Sequence, residues 1–460
     1  MYDVAIVNGT LIDPEAGKLI PANLYCKDGK IIEISREERE ASLVIDATGR
    51  YVSPGFIDIH AHVEGALFPA KLLALQGVTT VVNGNCGLGL ENLPAFFEEQ
   101  GRSGFPINQL ELSGASTLRA LAGQHDRYAP LSAAQLDHAC GLLREDLEAG
   151  AAGLSFGLEY MPGSSREEVM ALSKVTARFG KPVAIHTRTD CYAGLDALRE
   201  AIDINRLTGA GVQISHVVYQ YGFGMMELAL SMIDTAVKQG LDISCDSGMY
   251  TSFATSVGSA VFDGGCLQKW RCGYDSILAA TGKYAGQRLN QDTFEELRRD
   301  SPDDAAIALI GNPHEILMAF DLPYMMVSSD CGVNKTPDPR LGHPQDAGTF
   351  PRFLNQLVKE TNRLTLTDAV ARATILPAKR MGLDKKGRIT PGSDADLVIF
   401  DIETLKDCSL YPHLGSPTAP PEGIDAVLVA GVVTAEHGAL TDARPGKPIL
   451  CPHIGWCYRG

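Results

Sequence analysis

The chain has no surplus of positive charge. Its 460 residues carry 40 lysines and arginines against 56 aspartates and glutamates, a net charge of -16. Nucleic acids and anionic membrane surfaces are gripped by clustered positive charge, so neither partner is expected. A disulfide framework is missing too: the 11 cysteines are an odd number scattered through a large chain, the pattern of reduced, buried thiols. No apolar run is long enough to cross a bilayer. Met1 to Val7 has neither the basic stretch nor the long apolar core of a secretion signal, which makes the cytoplasm the expected compartment. No internal repeat or low-complexity segment stands out. What remains is ordinary globular material, 45% hydrophobic and 21% charged. Its length suits one large domain, alone or with a small companion.

Residues 2 to 52 read as short strands with tight turns, Asn8-Gly9 and Asp28-Gly29 being hairpin-type dipeptides. After Pro54 strands alternate with helices. Apolar strand candidates fall at 56–60, 78–83, 108–112, 152–156, 182–186, 211–216, 242–245 and 325–329. Helical stretches such as Ser132 to Ala149, Ser165 to Phe179 and Met225 to Gln239 lie between them. Eight such units predict an α/β fold, a TIM-like (β/α)₈ barrel, although a doubly wound sheet also fits the pattern. The stretch from about 247 to 324 is too long for an ordinary connection and reads as a lid or insertion. A helix from Leu366 to Met381 precedes a return to strands, Leu397 to Phe400 and Val427 to Val429. The expected division is therefore a small β-sandwich domain built from residues 1–53 and 385–460, beside a barrel over 54–384.

The C-terminal ends of barrel strands are where functional groups sit. His60 and His62 end the first strand, and their spacing puts both imidazoles on one face. Cys86 follows the second strand, His186 ends the fifth, His216 the sixth and Asp330 the eighth. Any one histidine at a strand end is commonly a hydrogen-bonded structural residue. Six candidate ligands at one mouth are hard to explain as packing. Thiolate sulfur together with imidazole selects zinc over magnesium or calcium.

These residues carry a resemblance. The sequence resembles the amidohydrolase superfamily of metal-dependent hydrolases, in its N-acyl-D-amino-acid deacylase (D-aminoacylase) branch. The motifs are Pro54-Gly55-Phe56-Ile57-Asp58-Ile59-His60-Ala61-His62, Gln76-Gly77-Val78-Thr79-Thr80 leading to Gly84-Asn85-Cys86-Gly87, Gln213-Ile214-Ser215-His216, Gly348-Thr349-Phe350-Pro351-Arg352, and the run from Gly387 to Val398. The resemblance implies a tight zinc on Cys86, His186 and His216, and a second, weaker position on His60, His62 and Asp330. Cys86 takes the bridging place that a carboxylated lysine fills in many relatives; Ala152 to Tyr160 contains no lysine. Zinc lowers the pKa of bound water to about 7 and polarises a carbonyl. Asp330 is then the expected general base and acid. Glu159 is expected to support the site or to be purely structural.

The departures concern the pocket. The branch's lysine after the sixth-strand histidine is absent from Ser215-His216-Val217-Val218-Tyr219; its Gly-His-Gly is replaced by Leu112-Ser113-Gly114-Ala115, and its Tyr-Pro-Tyr by Gly248-Met249-Tyr250. Tyr160, Arg188 and Tyr250 are the candidate substrate-binding residues; a packed aromatic or a surface salt bridge explains such residues equally well. Cys331 is expected to face away from the metal. The tail Cys451 to Cys457 offers too few ligands for a structural zinc site, and a tail packing Trp456 on a neighbour is the plainer expectation. The resulting expectation is a zinc amidohydrolase acting on a linear amide, such as an N-acyl-D-amino acid or a dipeptide. A cyclic amidohydrolase of the hydantoinase or dihydroorotase kind is the alternative, with a deaminase third and a non-catalytic metal-binding assembly protein the reading of another class. The expected partner is a small-molecule substrate, and the oligomeric state stays open, a homo-oligomer included.

Overall fold

The computed structural model describes residues 1–451. Eight strands fall where the apolar runs predict them. They are β1 Phe56–Asp58, β2 Val78–Asn83, β3 Asn108–Glu111, β4 Leu154–Gly157, β5 Val183–His186, β6 Val212–Ile214, β7 Ile243–Ser247 and β8 Met325–Val327. Nearly every residue in them is buried, which is why they read as continuous apolar runs rather than alternating ones.

All these strands pair in parallel, but in two sheets and not the single closed one expected. One is β3–β2–β1; the other begins at Ser113–Gly114 and runs β4–β5–β6–β7–β8. Ladder pairing lapses at two seams. At the first, Leu112 N–H donates to Asn83 O at 3.0 Å and Ser113 N–H to Gly153 O at 2.9 Å, so one stretch touches both sheets. At the second, beyond the ends of β1 and β8, Ala61 bridges Cys331 in parallel. There Asp330 N–H also donates to His60 O at 2.9 Å and His62 N–H to Cys331 O at 2.7 Å. Asp330 has φ 56°, which turns the chain out of strand geometry.

Two of the expected helices begin at a capping serine. Ser132 forms a reciprocal capping box with Gln135 ahead of Ala133–Ala149, and the Ser165 side chain caps Arg166–Arg178. The expected continuous helix from Leu366 to Met381 is instead two, Leu366–Ala373 and Ile375–Arg380. Pro377 has no N–H to offer Ala373 and its ring would collide with that carbonyl, so the ladder breaks at Thr374.

Both chain ends meet. A seven-stranded sheet includes Thr10–Asp13 and Tyr51–Pro54 beside Leu397–Phe400 and Ile424–Val429, and it packs with a four-stranded sheet from residues 2–46 around Val4, Ile6, Leu24, Leu397, Ile399 and Leu428. Asp28 and Gly29 both take positive φ in the hairpin joining Asn23–Lys27 to Lys30–Ser35, as predicted. Asn8-Gly9 is different: it carries the chain from one sheet to the other, so it is no hairpin. The stretch 247–324 holds its own antiparallel sheet, Phe253–Ser256, Ala305–Ala308 and Ile277–Ala279. Among the described residues no helix is long and apolar enough to cross a membrane.

Candidate metal centre

The six ligand candidates lie at or just beyond the C-terminal ends of β1, β2, β5, β6 and β8. Three of them have left-handed backbones: Cys86 at φ 55°, His216 at 32° and Asp330 at 56°. For a non-glycine residue this costs about 1–3 kcal/mol and persists only where surroundings enforce it. Here they do. His216 N–H donates to Asp246 Oδ1 at 2.8 Å, and Asp330 O accepts from Gln345 Nε2 at 2.6 Å. Gly87 N–H donates to Ser155 Oγ at 3.0 Å. Gly157 lets the Cys86 carbonyl approach closely, since a Cβ there would collide with it.

The reactive atoms converge. Cys86 Sγ lies 3.4 Å from His216 Nε2, 3.7 Å from His186 Nδ1 and 3.3 Å from His60 Nε2. His186 Nδ1 and His216 Nε2 are 3.0 Å apart. A tetrahedral zinc bound at ~2.05 Å to nitrogen and ~2.3 Å to sulfur spaces its ligand atoms by about 3.3 Å (N···N) and about 3.6 Å (S···N). The three atoms match to within a few tenths of an ångström. Asp330 Oδ1 sits opposite, 3.4 Å from His60 Nε2 and 3.2 Å from His62 Nε2. The donor set therefore fits one ion on Cys86, His186 and His216, and offers a second group around Asp330 and the two β1 histidines.

Electrostatics favour ligation. Burial pushes the Cys86 thiol up, but His60, His216 and His186 more than reverse this and hold it well below the ordinary thiol range. Burial likewise raises the Asp330 carboxyl, and His62, His60 and His216 bring it below its usual value. Thiolate and carboxylate are the ligating forms.

Behind the ligands stands a supporting layer that the sequence reading only partly named. His186 Nε2 faces Glu159 Oε2 at 3.2 Å. That carboxylate favours a proton on Nε2, which would leave Nδ1 toward Cys86, and competes there with the Gln220 side-chain nitrogen at 3.1 Å. Lys269 in turn reaches Glu159 Oε1 at 2.8 Å and Asp190 Oδ1 at 2.6 Å. Lys269 comes from helix Cys266–Trp270, inside the long stretch after β7. Asp246, at the end of β7, also accepts from Ser328 Oγ at 2.6 Å and lies 3.8 Å from His60 Nδ1. Its place at a strand end in Ile243-Ser244-Cys245-Asp246 was the signal that could have found it. Nothing local in the sequence marks Lys269 or Asp190.

A small cavity of about 20 Å³ opens above the cluster, lined by Tyr160, Asp190, Tyr219, Gln220, Phe253 and Val261 together with Glu159, His186, His216 and Asp330. Of the three substrate-binding candidates, Tyr160 is in this wall, its ring 4.7 Å from that of His186. Arg188 is not: it makes a two-pronged ion pair with Glu200 and bonds Ser164 O. Tyr250 is not either, being buried with its hydroxyl on Asp407, Ser409 and Pro344 O. These contacts are of the kind the sequence reading held as the alternatives, a salt bridge for Arg188 and a packed aromatic for Tyr250. Cys331 Sγ points to the carbonyls of Pro69 and Asp346, away from the cluster. The tail expectation falls, beyond Cys451, outside the described residues.

The sequence profile of the amidohydrolase family matches residues 43–139 and 333–435. The chain is 31% identical to the N-acyl-D-glutamate deacylase of Alcaligenes xylosoxydans xylosoxydans, over 97% of this chain and 96% of that one. It is 28% identical to the D-aminoacylase of the same organism, over 97% of each. Among solved structures it is similar to the N-acyl-D-glutamate deacylase from Bordetella bronchiseptica complexed with zinc and a phosphonate inhibitor. That match has a TM-score of 0.86 and 30% identity, and covers 98% of this chain and 99% of the other.

Proposed function

The chain belongs to the amidohydrolase family, in its N-acyl-D-amino-acid deacylase branch. Its reaction is hydrolysis of a carbon–nitrogen bond other than a peptide bond. From that premise we propose that it is a zinc enzyme cleaving a linear N-acyl amide, with Cys86, His186 and His216 holding the tight ion and Asp330 as general base and acid. The observation that carries this is the convergence of Cys86 Sγ, His186 Nδ1 and His216 Nε2 at spacings a tetrahedral zinc requires. His60, His62 and Asp330 form a second, weaker position. When bound, zinc acidifies water and polarises an acyl carbonyl. Asp330 Oδ1 takes a proton from the attacking water and returns it to the departing nitrogen, and its place between two histidines keeps it ionised for the first transfer. Glu159 orients His186, and Asp246 orients His216.

The same reading makes the three- and six-stranded sheets two arcs of one (β/α)₈ barrel, supported by the Ala61–Cys331 bridge and the Leu112 seam. Residues 1–53 and, from 385 on, the strands up to Leu440 form the companion β domain, and 247–324 a covering insertion that supplies Phe253, Ala254 and Val261 to the cavity. The test is metal content with turnover. Purified protein should hold between about one and two zinc equivalents, and Cys86→Ala should lose the tight one and its N-acyl hydrolase activity. Chelated protein as active as zinc-loaded protein would overturn the proposal.

A further inference from the structure

The peptide of Asp330, whose backbone is left-handed at φ 56°, is held from two sides. Its N–H donates to His60 O at 2.9 Å, and its carbonyl accepts from Gln345 Nε2 at 2.6 Å. The second anchor comes from outside the ring of ligands. Gln345 opens helix Gln345–Leu354 and is fully buried. A carbonyl oxygen can only accept, so the amide nitrogen must face Asp330 and the amide oxygen needs a donor elsewhere. Tyr219 is that donor: its hydroxyl donates to Gln345 Oε1 at 3.1 Å. The hydroxyl is confined in turn, since a Cβ on Gly248 would collide with it. The next helix residue, Asp346, accepts from Gly332 N–H at 3.2 Å and from Asn334 N–H at 3.4 Å. The start of this helix therefore grips the turn after β8 at several points, and Gln345 grips it at Asp330 itself.

Resting on the hydrolase reading above, we propose that Gln345 is a positioning residue for the general base, and that Tyr219 holds its amide in the one orientation that serves this. Gln345 lies outside the cavity wall and acts through Asp330. It fixes the backbone from which Oδ1 reaches His60 Nε2 at 3.4 Å and His62 Nε2 at 3.2 Å, the place where Asp330 is both base and ligand of the weaker metal position. Tyr219 joins this anchor to the pocket. It stands in the cavity wall, with its ring 5.7 Å from that of His216. A side chain without a donor at position 345 leaves the buried Asp330 carbonyl unpaired, and a left-handed residue persists only where its surroundings enforce it. The carboxylate then loses its fixed place, while Cys86, His186 and His216 keep theirs.

The experiment compares native protein, Gln345→Met, Asp330→Asn and the double variant; methionine matches glutamine in length and offers no donor. Zinc titration against a chromogenic chelator reads the site without any substrate. Gln345→Met should weaken the second zinc equivalent about 10–100-fold and leave the first within about threefold. Tyr219→Phe should weaken that second equivalent as well. Turnover is read on N-acetyl-D-methionine, N-acetyl-D-glutamate and N-acetyl-D-lysine, each as free acid and as carboxamide. Gln345→Met should lower kcat about 10-fold or more with KM little changed, yet cost less than about twofold in the Asp330→Asn background, where no base is left to position. A second equivalent unmoved in Gln345→Met, a first equivalent weakened as much as the second, or an equal fold-loss in kcat with and without the Asp330 carboxylate each overturns the inference alone. Native protein that takes up a single equivalent leaves the decision to the kcat comparison. Turnover of none of the six compounds overturns the hydrolase reading, and this inference falls with it.

Discussion

Glu159→Gln separates a metal site held only by its ligands from one oriented from behind. In the native arrangement His186 Nε2 meets Glu159 Oε2 at 3.2 Å, and the other carboxylate oxygen takes Lys269 at 2.8 Å. A glutamine has one acceptor oxygen for these two donors. If the oxygen stays with Lys269, the amide N–H₂ faces His186 Nε2 and demands an acceptor there. The imidazole proton then moves to Nδ1, the atom 3.7 Å from Cys86 Sγ and 3.0 Å from His216 Nε2, and blocks ligation. If the oxygen turns to His186, the ammonium loses one of its two carboxylates. Loss of an outer partner of a metal-bound histidine commonly weakens metal binding 10–100-fold, which is about 1.4–2.7 kcal/mol. The assay is competition for zinc against a chromogenic chelator near neutral pH, which reads affinity without any substrate. The variant should bind zinc 10–100-fold more weakly, with its helix content unchanged. An affinity within about threefold of the native protein would refute the argument that Glu159 sets the His186 tautomer.

Asp330→Asn is expected to keep the zinc held by Cys86, His186 and His216 while kcat falls by about 10²–10⁴, the usual contribution of a positioned base; near-native turnover would assign the proton to another group. Gly157→Ala places a Cβ against the Cys86 carbonyl, so it should lower zinc affinity more than it lowers the melting temperature, and metal titration with thermal unfolding distinguishes the two. Asp346 is fully buried and its carboxyl is pushed up to about 7 by that burial. A group that holds its proton more tightly folded than unfolded contributes stability that is complete below its unfolded value near ~4 and is lost as pH rises through about 7. The melting temperature of metal-free protein should therefore fall between about pH 4 and about pH 7, and Asp346→Asn should flatten that fall; parallel curves for the two proteins would contradict the assignment.

The strands were legible because burial on both faces leaves an uninterrupted apolar run, as in Val78–Asn83, and such runs carry their own boundaries. The helix starts were legible because Ser132 and Ser165 do local work on neighbouring backbone. Two features were misread. Asn8-Gly9 has hairpin chemistry, but whether a turn returns to its own sheet depends on which strand the next residues pair with. Thr10–Asp13 pairs in parallel with Tyr51–Pro54, Thr10 lying opposite Tyr51. The split at Thr374 was readable from Pro377 and was hidden by apolar periodicity that continues through the break.

The site divides along a similar line. Its ligands were legible because each must sit at a strand end, so identity and position coincide in the sequence. Its specificity was not. Arg188 stands two residues past a ligand and looked available, yet Glu200, on the following helix, takes both prongs of its guanidinium. Lys269 stands in a stretch with no motif, yet it closes over Glu159 and Asp190 from the inserted segment. A cation's value to a substrate depends on whether a carboxylate has already claimed it, and that is a property of folded distance. The metal ligands therefore stand at strand ends, while the insertion adds Phe253, Ala254 and Val261 to the cavity wall and Lys269 behind Glu159. Exchanging residues 247–324 between relatives, with Lys269 kept for its contact with Glu159, should move side-group preference and leave the zinc affinity of Cys86, His186 and His216 in place. A transplanted insertion that changed zinc affinity as strongly as substrate preference would show that the two layers are not separable.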